Sequence, residues 1–458
     1  MKNFCIQPKN KDFVVFSVLN QIFLYSANTL SYFPITNCAK DILIKGINLE
    51  EKYSEKEISL TKEKLKEFSK NGVLSKHKAH EKGEIYYNDY YLKLILSTRC
   101  NLHCSYCFAR KSSEFDMNLE TAKKAILYFI NKFVPDKKRR IIVDLSGSGE
   151  PLLKLDLISK INEFVLTLKD KLKINIFCQF ATNGMLLTNE ISSILKKSGI
   201  LFGVSLDGKK EFCEKSRIGL NYEIVSKNIK NIENKDFFGL AATYSAQNHD
   251  FLQIFKSLYS FSPEVIGMKP VRLNAKNCNS VNKDSIEAIK KSYDIFIKWL
   301  YKQLCFGNKK YFYTFYKSED FLAKFLKTTL HPVRIFYRCS VAVNSFAVDS
   351  KENILICPAF IENKEAILGN LDDGLFEEKK KIFENFYADK IIYCKKCWAR
   401  YICGGECFAV GYENHKIFEK PEKSMCELKK YLIQLSVWFW TNLKFEHLEI
   451  YKSFFSQL

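Results

Sequence analysis

The chain has 458 residues, 47% of them hydrophobic and 27% charged, a composition ordinary for a globular protein and a length that excludes a single small module. It carries 71 Lys and Arg against 51 Asp and Glu, a formal net charge of +20. Most of the excess is Lys dispersed along expected helix faces, as in Lys123-Lys124 and Lys379-Lys380-Lys381, so no nucleic-acid partner is expected from it. No apolar run reaches the roughly 18 residues that would span a bilayer. The polar break Gln7-Pro8-Lys9-Asn10 has no small-residue cleavage site after it, so no export signal is expected. Sixteen cysteines in a chain expected in the reducing cytoplasm are better explained as metal ligands than as disulfides.

Residues 1–86 read as a small winged-helix-like unit. Strands are expected over 13–16 and 22–25 with Asn20-Gln21 near their turn, then helices over 38–45 and 54–69, the second opened by the capping box Ser54-x-x-Glu57 and closed by Asn71-Gly72. A polar stretch over 75–83 serves as a linker. From about residue 90 strand patterns over 91–96, 141–145, 174–180, 201–206, 239–244 and 265–271 alternate with helical ones over 119–133, 155–168, 189–197, 222–232, 250–259 and 285–304. Six such units predict an α/β fold, a partial (β/α)6 TIM barrel over 90–310, with functional residues on loops at the carboxyl ends of its strands. The basic run Lys137-Lys138-Arg139-Arg140 falls between a helix and a strand and reads as a solvated connection. Residues 331–430 are cysteine-dense and helix-poor, with strands over 346–348 and 354–356, and 431–458 read as an aromatic-rich helix.

The run Cys100-Asn-Leu-His-Cys104-Ser-Tyr-Cys107 falls on the first barrel loop. Three thiols spaced C-x3-C-x2-C can hold three irons of a 4Fe-4S cube and leave the fourth bare, whereas four-cysteine runs close every iron. The bare iron offers two positions to an amino and a carboxylate group, which is the chelate S-adenosylmethionine makes. The competing readings are a chance cluster of small core side chains and a zinc site lacking its fourth ligand. A second array, Cys394-x2-Cys397-x5-Cys403-x3-Cys407, is preceded by Cys339 and Cys357 and followed by Cys426. A zinc ribbon accounts for two close pairs but not for seven ordered cysteines.

Together these motifs resemble the radical S-adenosylmethionine enzymes that carry a C-terminal SPASM domain, over residues 90–430. The resemblance implies that Cys100, Cys104 and Cys107 bind the catalytic 4Fe-4S cluster and that Tyr106 packs near the adenine. Ser148-Gly149-Glu150-Pro151 resembles the family's Gly-Gly-Glu-Pro turn with Ser148 in place of the first glycine, and Glu150 would hold the cofactor's ammonium. Ser205 and Arg217, the latter placed at a loop-to-helix position, would meet the ribose or carboxylate, a role that suits the forked guanidinium. Asn183-Gly184 and Asp207-Gly208 read as turn formers, Thr243 and Tyr244 as candidates for the adenine wall, and Arg272 as either structural or lining a substrate cavity. By the same resemblance Cys394, Cys397, Cys403 and Cys426 ligate an outer auxiliary cluster and Cys339, Cys357 and Cys407 an inner one. Glu352 stands where the family has glycine, which puts the local turn in doubt. Cys5, Cys38, Cys178, Cys213, Cys278 and Cys305 are left over and read as buried hydrophobes.

The resemblance extends to function. It implies a maturase of ribosomally made peptides, with residues 1–86 binding the leader of a precursor peptide as an added strand and a ferredoxin or flavodoxin supplying electrons. No cysteine lies between Cys339 and Cys357, so the inner cluster is one thiolate short, and its open iron is free to take a substrate thiolate. Thioether crosslinking is therefore the expected reaction. A carbon-carbon crosslinker, a sulfatase-maturase-like enzyme and a DNA-binding iron-sulfur sensor are the alternatives.

Overall fold

The computed structural model describes residues 3–44, 49–80, 89–108, 113–134, 139–233, 235, 238–272, 276–337 and 339–455. The expected boundary at residue 86 and the pair Lys137-Lys138 lie outside the described residues.

Strands β1 (Cys5–Ile6), β2 (Phe13–Val18), β3 (Gln21–Ser26) and β4 (Tyr32–Pro34) form an antiparallel sheet in chain order. Val18 pairs with Gln21, so the turn is Leu19-Asn20, one residue earlier than expected, and both sit at positive φ, 47° and 67°. That is the turn geometry whose twist matches a two-residue hairpin. Helices Asn37–Ile44 and Glu55–Lys70 follow, and the Ser54 hydroxyl accepts from the Glu57 N–H at 3.2 Å as the capping pattern predicts. β2 is buried on both faces: Phe13 and Val15 pack with Leu65 and Phe68, while Val14, Phe16 and Val18 belong to the main core. A strand with no polar face must be covered twice, so this small unit is packed into the body. Arg400 ties the two together. Its fully buried side chain pairs with Asp12 at 2.8 Å and donates to the carbonyls of Lys78 and Cys397, each at 3.1 Å.

The remaining strands are β5 (Asp89–Leu94), β6 (His103–Cys104), β7 (Arg140–Asp144), β8 (Ile176–Thr182), β9 (Leu201–Ser205), β10 (Arg217–Ile218), β11 (Gly239–Tyr244), β12 (Val265–Pro270), β13 (Ser345–Val348), β14 (Asn353–Leu355), β15 (Ile367–Asn370) and β16 (Gly374–Leu375). Ten of them form one sheet in the order β12-β11-β9-β8-β7-β5-β13-β14-β15-β16, and its β12 to β5 part is parallel throughout. In a flat sheet β5 and β12 would stand about 24 Å apart at roughly 4.8 Å per step. Yet Lys93 of β5 and Lys269 of β12 feel each other's charge, so the parallel strands curl into an open barrel. Alternation along the strands turns Lys93, Gln179, Ala181, Ser205, Thr243 and Lys269 toward the lumen, where they are more accessible than their buried neighbours.

β13 pairs in parallel with the other edge of β5, Ser345 opposite Tyr91, and β14 to β16 continue antiparallel. The cysteine-dense region is thus joined to the barrel sheet through the free backbone edge of β5. Helices Lys309–Tyr316 and Phe321–Leu330 occupy a stretch that the sequence analysis left unassigned. The C-terminal helix begins at Lys423, not 431, and runs to Glu446, with Cys426 in its first turn and every residue from Tyr431 to Leu443 buried. No helix among the described residues is long and apolar enough to cross a membrane.

Candidate functional site: the cysteine loop and barrel mouth

Cys100, Cys104 and Cys107 lie on the loop that leaves β5 at its carboxyl end, Cys100 exposed and the other two half-buried. A backbone latch holds the loop. β6 pairs antiparallel with β10, setting Cys104 opposite Arg217, and the Ser105 N–H donates to the Ser216 carbonyl at 2.8 Å. Arg217 lies between two helices, Lys210–Ser216 and Tyr222–Lys230. Burial pushes the Cys104 thiol up to about 11 against the opposing pull of Arg217, with Cys107 and Cys100 adding to the rise. The three thiols are close enough to act on one another.

The Ser148-Gly149-Glu150 turn faces this loop. Gly149 sits at φ +62°, and a Cβ there would lie 2.4 Å from the Arg99 carbonyl oxygen and 2.6 Å from that of Ser97. Only glycine fits. Ser148 needs no such freedom, which is why the departure from the family pattern is accommodated, but its hydroxyl is buried with no hydrogen-bond partner among the described residues. Glu150 is 2% exposed. One carboxylate oxygen accepts from the Thr182 hydroxyl at 2.6 Å and the Leu152 N–H at 3.1 Å, the other from the Asn183 N–H at 2.8 Å. A carboxylate offers about four lone-pair sites, so one remains. Burial raises the Glu150 pKa, and the three donors only partly counter it.

Two residues read as turn formers do more. Asn183 donates from its side chain to Asn101 Oδ1 inside the cysteine loop at 2.7 Å. Asp207, at the end of β9, is a hub: Arg217 donates to it from Nε at 2.9 Å and Nη2 at 2.8 Å, the Tyr106 hydroxyl at 2.5 Å, the Ser216 hydroxyl at 3.2 Å and the Thr243 N–H at 2.9 Å. The Arg217 fork meets a carboxylate of the chain itself, and its guanidinium stands 5.6 Å from the Tyr106 ring centre. The signal available in the sequence was a polar residue ahead of a glycine at two successive strand ends, which turn propensity explained too readily. Ser205 is half-buried on the lumen side of β9, whereas Tyr244 is fully buried on the other face of β11 and does not line the mouth.

The seven distal cysteines separate into two electrostatic neighbourhoods. Cys394 feels Cys403, Cys426 and Cys397, while Cys339 feels Cys357 and Cys407. Lys93 and Arg272 face the set of three, and Lys429 and Lys430 the set of four. Among the described residues no group of three or more His, Cys, Asp or Glu is drawn tightly enough to hold a single metal ion. A cube gives each thiolate its own iron and so spaces its ligands more widely than one ion does. Glu352 sits at φ +64°, in the left-handed region that favours glycine, with its carboxylate anchored by Lys124 and Thr121. Of the leftover cysteines, Cys38, Cys178 and Cys213 are buried, Cys305 is half-buried, and Cys5 and Cys278 are exposed, contrary to expectation.

Residues 94–245, from the end of β5 through β11, match the model of the radical SAM superfamily. They form a radical SAM domain. The match to the cysteine-type anaerobic sulfatase-maturating enzyme of Clostridium novyi is 30% identical over 132 residues, 27% of this chain and 34% of that one. The chain spans 38% and 34% of the lengths of the first two curated relatives it matches. A GTP 3',8-cyclase of Clostridium botulinum is 25% identical over 373 residues, 75% of this chain and 96% of its own. The fold is shared with the AdoMet-bound structure of anSMEcpe, at a TM-score of 0.60 and 20% identity, covering 76% of this chain and 96% of that one.

Proposed function

We propose that this protein is a peptide-modifying radical S-adenosylmethionine enzyme that forms cysteine thioether crosslinks in a ribosomally made precursor. The observation that carries the reading is the division of the seven distal cysteines into a set of four and a set of three, the latter beside the barrel-lumen cations Lys93 and Arg272. A set of three leaves one cluster corner for a substrate thiolate. A related solved structure, anSMEcpe, binds AdoMet together with a Cp18Cys peptide, which supports a peptide occupant.

Cys100, Cys104 and Cys107 would hold the catalytic cluster; Cys394, Cys397, Cys403 and Cys426 the outer auxiliary one; and Cys339, Cys357 and Cys407 the inner. When bound, the catalytic cluster and S-adenosylmethionine supply hydrogen abstraction from an unactivated C–H bond. Within the chain, the free acceptor site of Glu150 is placed for a charged amine, and Ser205 and Tyr106 flank the mouth where the nucleoside would sit. Arg217 acts through Asp207, fixing Tyr106 and hence the loop. The barrel excludes bulk water and aims one bond at the mouth. β1, an edge strand exposed at Cys5 and Ile6, offers unpaired backbone groups for a leader peptide, and a ferredoxin or flavodoxin would supply electrons.

The test is anaerobic reconstitution with dithionite and S-adenosylmethionine. Wild type should release methionine and 5'-deoxyadenosine, and Cys100→Ala should not. A cysteine-containing peptide encoded by a neighbouring reading frame should then lose two hydrogens per link with its cysteine blocked to alkylation. Loss of two hydrogens with every thiol still alkylatable would favour the carbon-carbon crosslinking alternative.

A further inference from the structure

The barrel lumen carries a charge that the reading above does not use. Lys93 stands in the strand Asp-Tyr-Tyr-Leu-Lys-Leu, Lys269 in Val-Ile-Gly-Met-Lys-Pro, and Arg272 follows two residues after β12 closes. Cations gathered on the inner face of a barrel repel one another unless they are matched, and here Lys93 is half-buried while Lys269 and Arg272 remain solvent-accessible. None of the three side chains makes a hydrogen bond or ion pair with any described residue, although Lys269 feels the charge of Arg272 and Lys93, and Lys93 that of Arg272.

The acidic groups that face this cluster are already engaged. Glu319 pairs with Lys324 at 2.6 Å and lies 3.8 Å from Lys327. Asp144 accepts from the Ser146 N–H at 2.9 Å, from the Ser146 hydroxyl, and from Gln179 at 3.5 Å. Lys93 and Arg272 look toward Cys339 and Cys357, and Arg272 toward Cys407 as well, so thiolates there would balance them. The charges that act on Lys269 are Arg272, Lys324, Glu319 and Lys93. Burial first, and then Arg272 and Lys324, push its pKa down to about 8.

We propose that Lys269 is a substrate-binding residue: it takes a single carboxylate of the substrate in the lumen, with Lys93 and Arg272 beside it, so that the substrate is a peptide bearing an acidic side chain or terminal carboxylate close to the reacting residue. This rests on the peptide reading for the identity of the carrier, though not for the anion site. One unmatched cation suits one carboxylate. A triphosphate would bring several charges to a lumen that has one to spare.

The test is amine footprinting of the full-length, anaerobically reconstituted protein. Acetylation of Lys269 by acetic anhydride, read by mass spectrometry, should slow about tenfold with saturating N-acetylglutamate α-amide, the occupancy expected well above its dissociation constant, and stay unchanged with N-acetylglutamine α-amide. Inorganic triphosphate forms the third arm. In Lys269→Gln the glutamate derivative should no longer protect Lys93, and in Lys269→Arg it should. Equal protection by the neutral amide, no protection by either, stronger protection by triphosphate, or Lys93 protection surviving in Lys269→Gln would each overturn the proposal. Methionine release, measured on the same samples, reports the catalytic reading separately. An inactive protein with carboxylate-selective protection leaves this inference standing, and an active one without it does not.

Discussion

Replacing Asp207 by Asn isolates the hub that holds the cysteine loop. The Asp207 and Arg217 side chains are 1% and 6% exposed and joined by bonds of 2.8 and 2.9 Å. Removing one charge of a buried pair strands the other, at a cost of about 3–5 kcal/mol. Asn keeps one acceptor oxygen in place of two, so it gives up either the Tyr106, Ser216 and Arg217 Nε bonds made to Oδ2 or the Arg217 Nη2 and Thr243 bonds made to Oδ1; the lower end, about 3 kcal/mol, is expected, roughly a hundredfold in the unfolding equilibrium. Because either loss weakens the hub that Tyr106 and Arg217 share, the loop should loosen and iron retained at the catalytic cluster should fall, while the distal cysteines keep theirs. The assay pairs urea unfolding of the metal-free protein with iron content after reconstitution. Asp207→Leu with Arg217→Leu removes both charges and should recover most of the stability, since an apolar pair of similar volume is often neutral, without recovering the iron. A single variant within about 1 kcal/mol of wild type, the range of an exposed ion pair, would refute the argument, as would a double variant no more stable than the single one.

Other outcomes follow from the same geometry. Gly149→Ala places a methyl group 2.4 Å from the Arg99 carbonyl oxygen in a conformation that costs a side chain about 1–2 kcal/mol before any clash; it should displace the cysteine loop and abolish methionine release in protein that still folds by circular dichroism. Arg400→Met leaves Asp12 and Asp389 buried without their cation and frees the carbonyls of Lys78 and Cys397; a loss of about 3–5 kcal/mol is expected, with residues 13–26 exchanging amide hydrogens faster. Burial raises the Asp12 and Asp41 carboxyls, but hydrogen bonds from Arg400, Lys78 and His77 to the first, and from Lys52, Tyr53 and Lys40 to the second, outweigh it; both pKa values are lowered, Asp41 to about 2. Depressed carboxylates stabilise the fold above their unfolded pKa of about 3.9 and lose that contribution as pH falls through the folded value, so urea midpoints should drop below pH 4 and drop less steeply in Asp12→Asn.

Much of this protein is local in origin. The six barrel strands and their helices, the Ser54 cap, the cysteine loop at a strand's carboxyl end and the order of the distal cysteines were legible because periodicity, capping and ligand spacing act over a few residues and need no knowledge of neighbours. Other features exist only once distant segments meet. Asp207 looks like half of a turn until Arg217, Tyr106, Ser216 and Thr243 converge on it. β13 joins the edge of β5 across 254 positions of chain, Tyr91 pairing with Ser345, and Arg400 finds Asp12 from 388 positions away. Lys93 and Lys269 face each other only because the sheet curls. Hydrogen bonding and charge interaction depend on distance in space, and the sequence specifies which groups are present without saying which of them the closed barrel brings within reach.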